Sequence, residues 1–239
     1  MTNKLILVTL FLLLLMSCKT KQSEVDQKSD NFYSKEKYET EVSTPKTNET
    51  PWSNFKPLEK EGWKELDESL GFIVDIRYAT EDNFTKKKIY DCGRCFLRES
   101  AADALIKLNE ELAKKRDYKI KLFDCYRPSP YQQRLWDVVP DPKYVMPPHK
   151  GSMHSRGLAV DLTLVDAKGN ELDMGTPFDF FGPEAHTDKI FPDAQVQYHR
   201  NLLQTLMKKH GFEGIRTEWW HFSLREKNAE LADWLWPCE

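Results

Sequence analysis

The sequence predicts a single α+β domain over residues 51–239, with a mainly antiparallel sheet and packed helices. Three observations point there. Apolar residues recur at helical spacing in two long segments and alternate, or run together, in several short ones. The two kinds of segment do not follow one another in strict alternation, which argues against a wound parallel sheet. The remaining body, about 190 residues without an internal repeat, is enough for one ordinary core.

Taken in order, GFIVDIRYAT (71–80) reads as a strand with polar residues on one face. Residues 98–115 put Ala101, Ala102, Leu105, Leu108 and Leu112 at helical spacing, a core-facing helix. Residues 118–123 alternate as a short strand and run into DCYRPSP, where the prolines force a loop. A short helix is expected over 130–136, then a Pro-rich loop over 140–151. Residues 158–164 form a strand with Leu158, Val160 and Leu162 on one face and Ala159, Asp161 and Thr163 on the other. Asp161 is therefore expected in a cleft rather than in the main core. The irregular stretch LDMGTPFDFFGPEAH (172–186) is long for a mere connection. A helix over 195–210 ends at Gly211, a strand covers 217–223, and a short helix over 226–234 closes the chain.

Ahead of this body, residues 1–17 hold one lysine and then an unbroken apolar run, the layout of a secretory signal. The run ends in LMSC, which resembles the lipobox of bacterial lipoproteins and implies lipidation of Cys18. The plainer alternative is a signal peptide that happens to contain a cysteine. Residues 18–50 then read as the lipidated cysteine and a tether. Between residues 19 and 49 it holds six lysines and seven acids with no sustained apolar period, too polar to offset its ordering entropy. The expected setting is the bacterial cell envelope, the domain facing periplasm or exterior and a membrane reached through the lipid anchor.

The formal charge of -3 and the lack of a basic block argue against nucleic acid. No protein partner is expected. Cys92, Cys95, Cys125 and Cys238 remain after Cys18. CGRC at 92–95 raises a thioredoxin-like site, which needs a βαβ context, and a zinc knuckle, which needs a second close pair that the sequence lacks. Disulfides fit an exported chain better, with three pairings open.

Two short motifs carry the chemistry. In SMHSRGLAVD, a loop histidine, His154, precedes a strand carboxylate, Asp161, by seven residues. An unpaired carboxylate in so apolar a strand needs compensation, by a metal ion or by a turn network. In TEWWHF (217–222), Glu218 and His221 stand three apart among aromatics. Strict strand geometry would aim them at opposite faces, so a bend near Trp219 is required. Two histidines and one carboxylate around zinc leave a fourth position for water, and an unligated carboxylate nearby can take its proton. That reading makes His154, Asp161 and His221 ligands and Glu218 the base. The bland alternative makes Glu218 a surface acid and His221 a hydrogen-bonded core histidine.

Together these motifs resemble the D-alanyl-D-alanine dipeptidase family, the VanX-like zinc peptidases, with their SxHxxGxxxD and ExxH patterns. Ser152, His154, Gly157 and Asp161 match the first; Glu218 and His221 match the second. DIRYATEDNF (75–84), DCYRP (124–128) and MGTPFDFF (174–181) agree in order. The resemblance implies a zinc D,D-peptidase/hedgehog-like fold, one Zn2+ per chain, and hydrolysis of the free dipeptide D-Ala-D-Ala in cell-wall peptide turnover. It places Arg127 beside the scissile carbonyl; the structural alternative for Arg127 is an ion pair with Asp124 or Asp75. It also implies an acid for the substrate ammonium, Asp179 ahead of Asp173, with Ser152 orienting a carboxylate or a neighbouring backbone group and Tyr78 walling the pocket. The cysteines and the tether are departures from the catalytic pattern. They favour recycling of wall fragments over a resistance role. Two rival functions stand beside this one: a D,D- or L,D-carboxypeptidase acting on longer wall peptides, and a non-catalytic lipoprotein that binds them.

Overall fold

Residues 61–226 and 229–238 are described by a computed structural model. The expected signal, Cys18 and the tether lie outside these residues.

Strands β1 (Trp63–Leu66) and β3 (Cys95–Arg98) form a two-stranded antiparallel ribbon. The main sheet runs β2 (Ile73–Val74), β4 (Lys119–Asp124), β5 (Ala159–Val165), β7 (Glu218–Leu224) and β6 (Phe212–Ile215), in that spatial order. Among the described residues only the β2–β4 pair is parallel. The α+β class with a mainly antiparallel sheet is therefore observed. Helix α1 (Glu99–Arg116) packs on β1, β3 and β4, and all five residues of its expected apolar face are buried. Helix α2 (Ser129–Val138) begins with proline in its first turn, where no backbone N–H is missed. Helix α3 (Ala194–Lys209) packs on β6 and starts where the Asp193 side chain accepts from the backbone N–H groups of Gln195 and Val196. Among the described residues no helix is long and apolar enough to cross a membrane.

The fold departs from the sequence reading in four places. The segment 71–80 is a strand only at Ile73–Val74, followed by a 3-10 turn at Arg77–Ala79. Asp75 N–H still bonds Leu122 O, but Arg77 then folds over the Phe123 ring and meets Asp75 and Glu171, pulling the chain off the ladder. The short helix over 226–234 does not form in the described part of that segment. Trp234, Leu235 and Trp236 are all buried, and an irregular chain can bury three successive side chains where a helix would turn one outward. Strands β1, β3 and β6 had no clear apolar alternation to announce them. Finally, all seven residues of β5 are buried, including Asp161 at 4% exposure. As the middle strand of five, it is covered on both faces.

The four cysteines among the described residues form two disulfides, Cys92–Cys238 and Cys95–Cys125. The CGRC cysteines bond elsewhere rather than to each other, which removes both the redox and the knuckle readings. The first bridge ties the C-terminal segment over an aromatic cluster: Trp236 packs on Tyr90, Phe96 and Tyr131, and Trp234 on Trp63 and Tyr126.

Candidate metal centre and cleft

Three neighbouring strands place one polar row across the middle of the sheet. Asp124 of β4 stands opposite Asp161 of β5, and Asp161 stands opposite His221 of β7. The second pairing lies on a regular antiparallel ladder, but the first does not. A register shift between Leu122 and Asp124 makes Phe123 the extra residue, so that Asp124 lies opposite Asp161. A second shift sets Gly214↔Phe222 beside Ile215↔Glu218, leaving Trp219, Trp220 and His221 without partners on β6. This is the bend that the ExxH motif requires. Bulges of this kind re-aim side chains beside functional sites.

His154 arrives from the loop before β5. Its carbonyl accepts from Gly157 N–H and from Arg127 N–H. Gly157 sits at φ +70, and a Cβ there would lie 2.3 Å from the Trp63 ring, so only glycine fits this turn. The His154 ring donates through Nδ1 to the Cys125 carbonyl at 2.7 Å, which leaves Nε2 as the lone-pair nitrogen.

That nitrogen lies 3.1 Å from His221 Nδ1 and 3.4 Å from Asp161 Oδ1, and the last two atoms are 2.9 Å apart. Tetrahedral zinc with bonds of about 2.0–2.1 Å sets its ligand atoms about 3.3 Å apart, close to this triangle. Three acceptors facing one point demand a cation or shared protons between them. Burial works against the Asp161 carboxylate, yet the His154 and His221 rings hold it below the usual carboxylate range. For His154, burial is outweighed by the Asp161 and Asp124 carboxylates, which raise its pKa. Both directions express a site that calls for positive charge. The residues fit a zinc ion, and His154, Asp161 and His221 form a cluster able to hold a metal.

Around it, Arg127 is fixed from three sides. Its Nη2 and Nε donate to Asp124 Oδ2 at 2.6 and 3.1 Å, its Nε also to the Tyr90 hydroxyl, and its Nη1 to Gln132 Oε1. The guanidinium lies over the Tyr78 ring, 5.0 Å from its centroid. The ion pair with Asp124 is thus real, and it coexists with a position beside the ligand cluster; Asp75 instead pairs with Arg77 and Lys121. Glu218 is half-buried on the wall of a cleft of about 310 Å³ that also touches Tyr144, Phe181 and His186. Burial, and then the Asp161 charge, raise its pKa.

The loop 172–186 returns over the site because α3 holds it. Arg200 Nε donates to Met174 O and Nη2 to Glu184 O, His199 Nδ1 bonds Asp173 O, and Trp219 Nε1 of β7 donates to Thr176 Oγ1. This brings Asp179, at φ +59, to a place where its carboxyl feels Asp161, Arg127 and Glu218. The Tyr78 hydroxyl approaches Asp179 Oδ1 at 3.5 Å. Asp179 Oδ2 is buried with no hydrogen-bond partner among the described residues, and burial raises this carboxyl well above its ordinary range. Asp173 is exposed and spends its carboxylate on Gly175 N–H. The Ser152 hydroxyl accepts from Ser155 N–H, the neighbouring backbone group.

Sequence reasoning named Asp124 only as an ion-pair partner and passed over Tyr90, Gln132, His199 and Arg200. Each acts by reaching across the fold, and the sequence signal for that is faint: Tyr90 and Gln132 sit 34 and 8 positions from Asp124 with no periodic pattern linking them.

A family profile described as D-ala-D-ala dipeptidase matches residues 67–235. The chain is 42% identical over 151 residues to a D-alanyl-D-alanine dipeptidase of Escherichia coli, a match covering 63% of this chain and 78% of that protein. It is 33% identical over 188 residues to one from Enterococcus faecium, with 70% and 93% covered. A third, from Enterococcus faecalis, is 34% identical over 186 residues, with 68% and 91% covered. With a cluster able to hold a metal on the ExxH and SxHxxGxxxD motifs, these matches show that the chain belongs to the D-Ala-D-Ala dipeptidase family.

Proposed function

We propose that the protein hydrolyses the free dipeptide D-Ala-D-Ala to two D-alanines with one zinc ion, in cell-wall peptide turnover. The observation that carries this reading is the triangle of buried His154 and Asp161 with half-buried His221, with Arg127 and Glu218 beside it and the unpartnered oxygen of Asp179 nearby. A bound zinc ion would supply a Lewis acid and make water easier to deprotonate. Glu218 takes the proton of the attacking water as the new C–O bond forms, and delivers it to the leaving nitrogen as the C–N bond breaks. Its raised pKa suits both halves of that transfer. Arg127, locked by Asp124, Tyr90 and Gln132, donates to the carbonyl oxygen as negative charge gathers there, and needs no reorganisation to do so. Asp179 receives the substrate ammonium. Tyr78, buried between Asp179 and Arg127, walls the small pocket.

The ammonium site separates this reading from a carboxypeptidase, whose longer substrates have no free amine at that position. A buried carboxylate oxygen without a partner is costly unless a ligand group completes it. The deciding experiment supplies zinc to the purified chain and measures D-alanine release from D-Ala-D-Ala, N-capped D-Ala-D-Ala and a wall tripeptide. Release confined to the free dipeptide is expected. Cleavage of the capped or longer peptide alone would move the assignment to a carboxypeptidase, and zinc binding with no cleavage of any would leave a binding protein.

We further propose that the chain is exported and lipidated at Cys18. The apolar run ending in LMSC supports this, as do two disulfides in the folded domain, since such bonds persist in oxidising compartments. Metabolic labelling with a palmitate analogue should mark the wild-type chain and not Cys18→Ser. Equal labelling of both would overturn the anchor.

A further inference from the structure

The Cys95–Cys125 disulfide joins β3 to the residue that follows β4, inside the DCYRP stretch. We propose that this bridge is a positioning element for the metal centre: it aims the Cys125 carbonyl that orients His154. The inference rests on the reading of His154, Asp161 and His221 as metal ligands, and goes beyond it by naming what holds one of them in place.

A single peptide plane links the bridge to His154. The Cys125 carbonyl and the Tyr126 N–H belong to the same planar unit and point in opposite directions. Tyr126 N–H donates to Phe96 O on β3 at 2.9 Å, so the carbonyl on the other side is turned toward His154 Nδ1, 2.7 Å away. Cys95, next to Phe96 in β3, binds the same plane covalently through Cys125. The amide before it is held as well, by Cys125 N–H donating to Asp124 Oδ1. Strand β3 therefore grips this plane twice, once by a hydrogen bond and once by the disulfide. His154 completes the loop, because its own carbonyl accepts from Arg127 N–H two residues further on. Any swing of the Cys125 carbonyl would rotate the His154 ring and displace Arg127 together.

The Cys92–Cys238 bridge provides the control. It closes a separation of 146 residues against 30 for Cys95–Cys125, so the chain-entropy argument gives it the larger share of global stability. Among the described residues none of its backbone groups bonds a metal-site residue; the Cys92 carbonyl accepts from Trp236 Nε1. A merely structural role for both bridges would make metal affinity follow stability. A positioning role separates the two.

Both sulfurs of the inner bridge belong to buried residues, so substitution is a cleaner test than reductant. The full chain would be compared as wild type, Cys95→Ala/Cys125→Ala, Cys92→Ala/Cys238→Ala and His154→Ala. Zinc affinity is read by competition with a chromophoric chelator, ligand geometry by the d–d spectrum of the Co2+ form, and stability by urea unfolding. Cys95→Ala/Cys125→Ala should weaken zinc by about 10–100-fold, the usual effect of losing a group that orients a ligand, and shift the Co2+ spectrum. Cys92→Ala/Cys238→Ala should lose stability while keeping affinity and spectrum. Unchanged affinity and spectrum in the inner double variant, or affinity falling in step with stability across both pairs, would overturn the proposal. Zinc binding that survives His154→Ala would instead overturn the metal-ligand reading beneath it.

Discussion

Glu218→Gln is expected to lower kcat by about 10²–10⁴-fold while zinc content and folding stability stay as in the wild type. The substitution keeps the side chain's volume on the half-buried wall of the cleft and removes only its capacity to carry a proton. Two features make the effect large. Glu218 stands outside the ligand triangle, so the metal site survives its neutralisation. Its carboxyl is also raised by burial and then by Asp161, which makes it a stronger base than an exposed glutamate. Loss of that anion even relieves like-charge repulsion with Asp161, so no destabilisation is expected. Steady-state kinetics beside metal analysis checks the prediction, with KM staying within a few-fold if the residue acts on the proton rather than in binding. A variant that keeps more than about a tenth of wild-type kcat would remove Glu218 from the role of base. One that loses zinc would make it a ligand.

How much of this was legible in the chain depends on the range over which each signal acts. The helix carrying Leu105, Leu108 and Leu112 was readable because its apolar face is a local pattern, and so was the central strand around Val160 and Leu162. The cluster able to hold a metal was readable through two motifs that fix residue types at short spacing. The spacing of Glu218 and His221 even required a bend, and the structure supplies it where Trp219 to His221 have no partners on β6. What stayed hidden is non-local. The bulge at Phe123 that sets Asp124 opposite Asp161 depends on the pairing of two strands far apart in sequence. The segment 71–80 alternates well enough to suggest a long strand, yet the charges of Asp75, Arg77, Lys121 and Glu171 assemble only in the fold and turn the chain aside. The C-terminal segment has helix-forming residues, but its tryptophans are claimed by an aromatic cluster of Trp63, Tyr90, Phe96, Tyr126 and Tyr131. Cysteine pairing needed both the ribbon β1–β3 and the C-terminal course, neither of which the sequence announces.

Asp124, named from the sequence only as an ion-pair partner, is where the largest loss of stability is expected. It is fully buried and accepts from Tyr90 Oη at 2.7 Å, Arg127 Nη2 at 2.6 Å and Cys125 N–H at 2.9 Å, with His154 Nδ1 at 3.5 Å. Asp124→Ala leaves the Arg127 guanidinium buried without its counter-charge, and breaking a buried pair from one side costs about 3–5 kcal/mol. Urea unfolding of the zinc-loaded and zinc-free chain measures it. The companion variant Asp124→Ala/Arg127→Met removes both charges and should recover much of that loss, since an apolar pair of similar volume is often no worse than the ion pair it replaces. Activity should not return with stability, because the double variant lacks the group that meets the developing oxyanion. If the double variant is as unstable as Asp124→Ala, the bonds to Tyr90 and Cys125 outweigh the charge pair, and Asp124 is a backbone anchor first. If it regains both stability and rate, Arg127 belongs to the scaffold and some other donor serves the carbonyl oxygen.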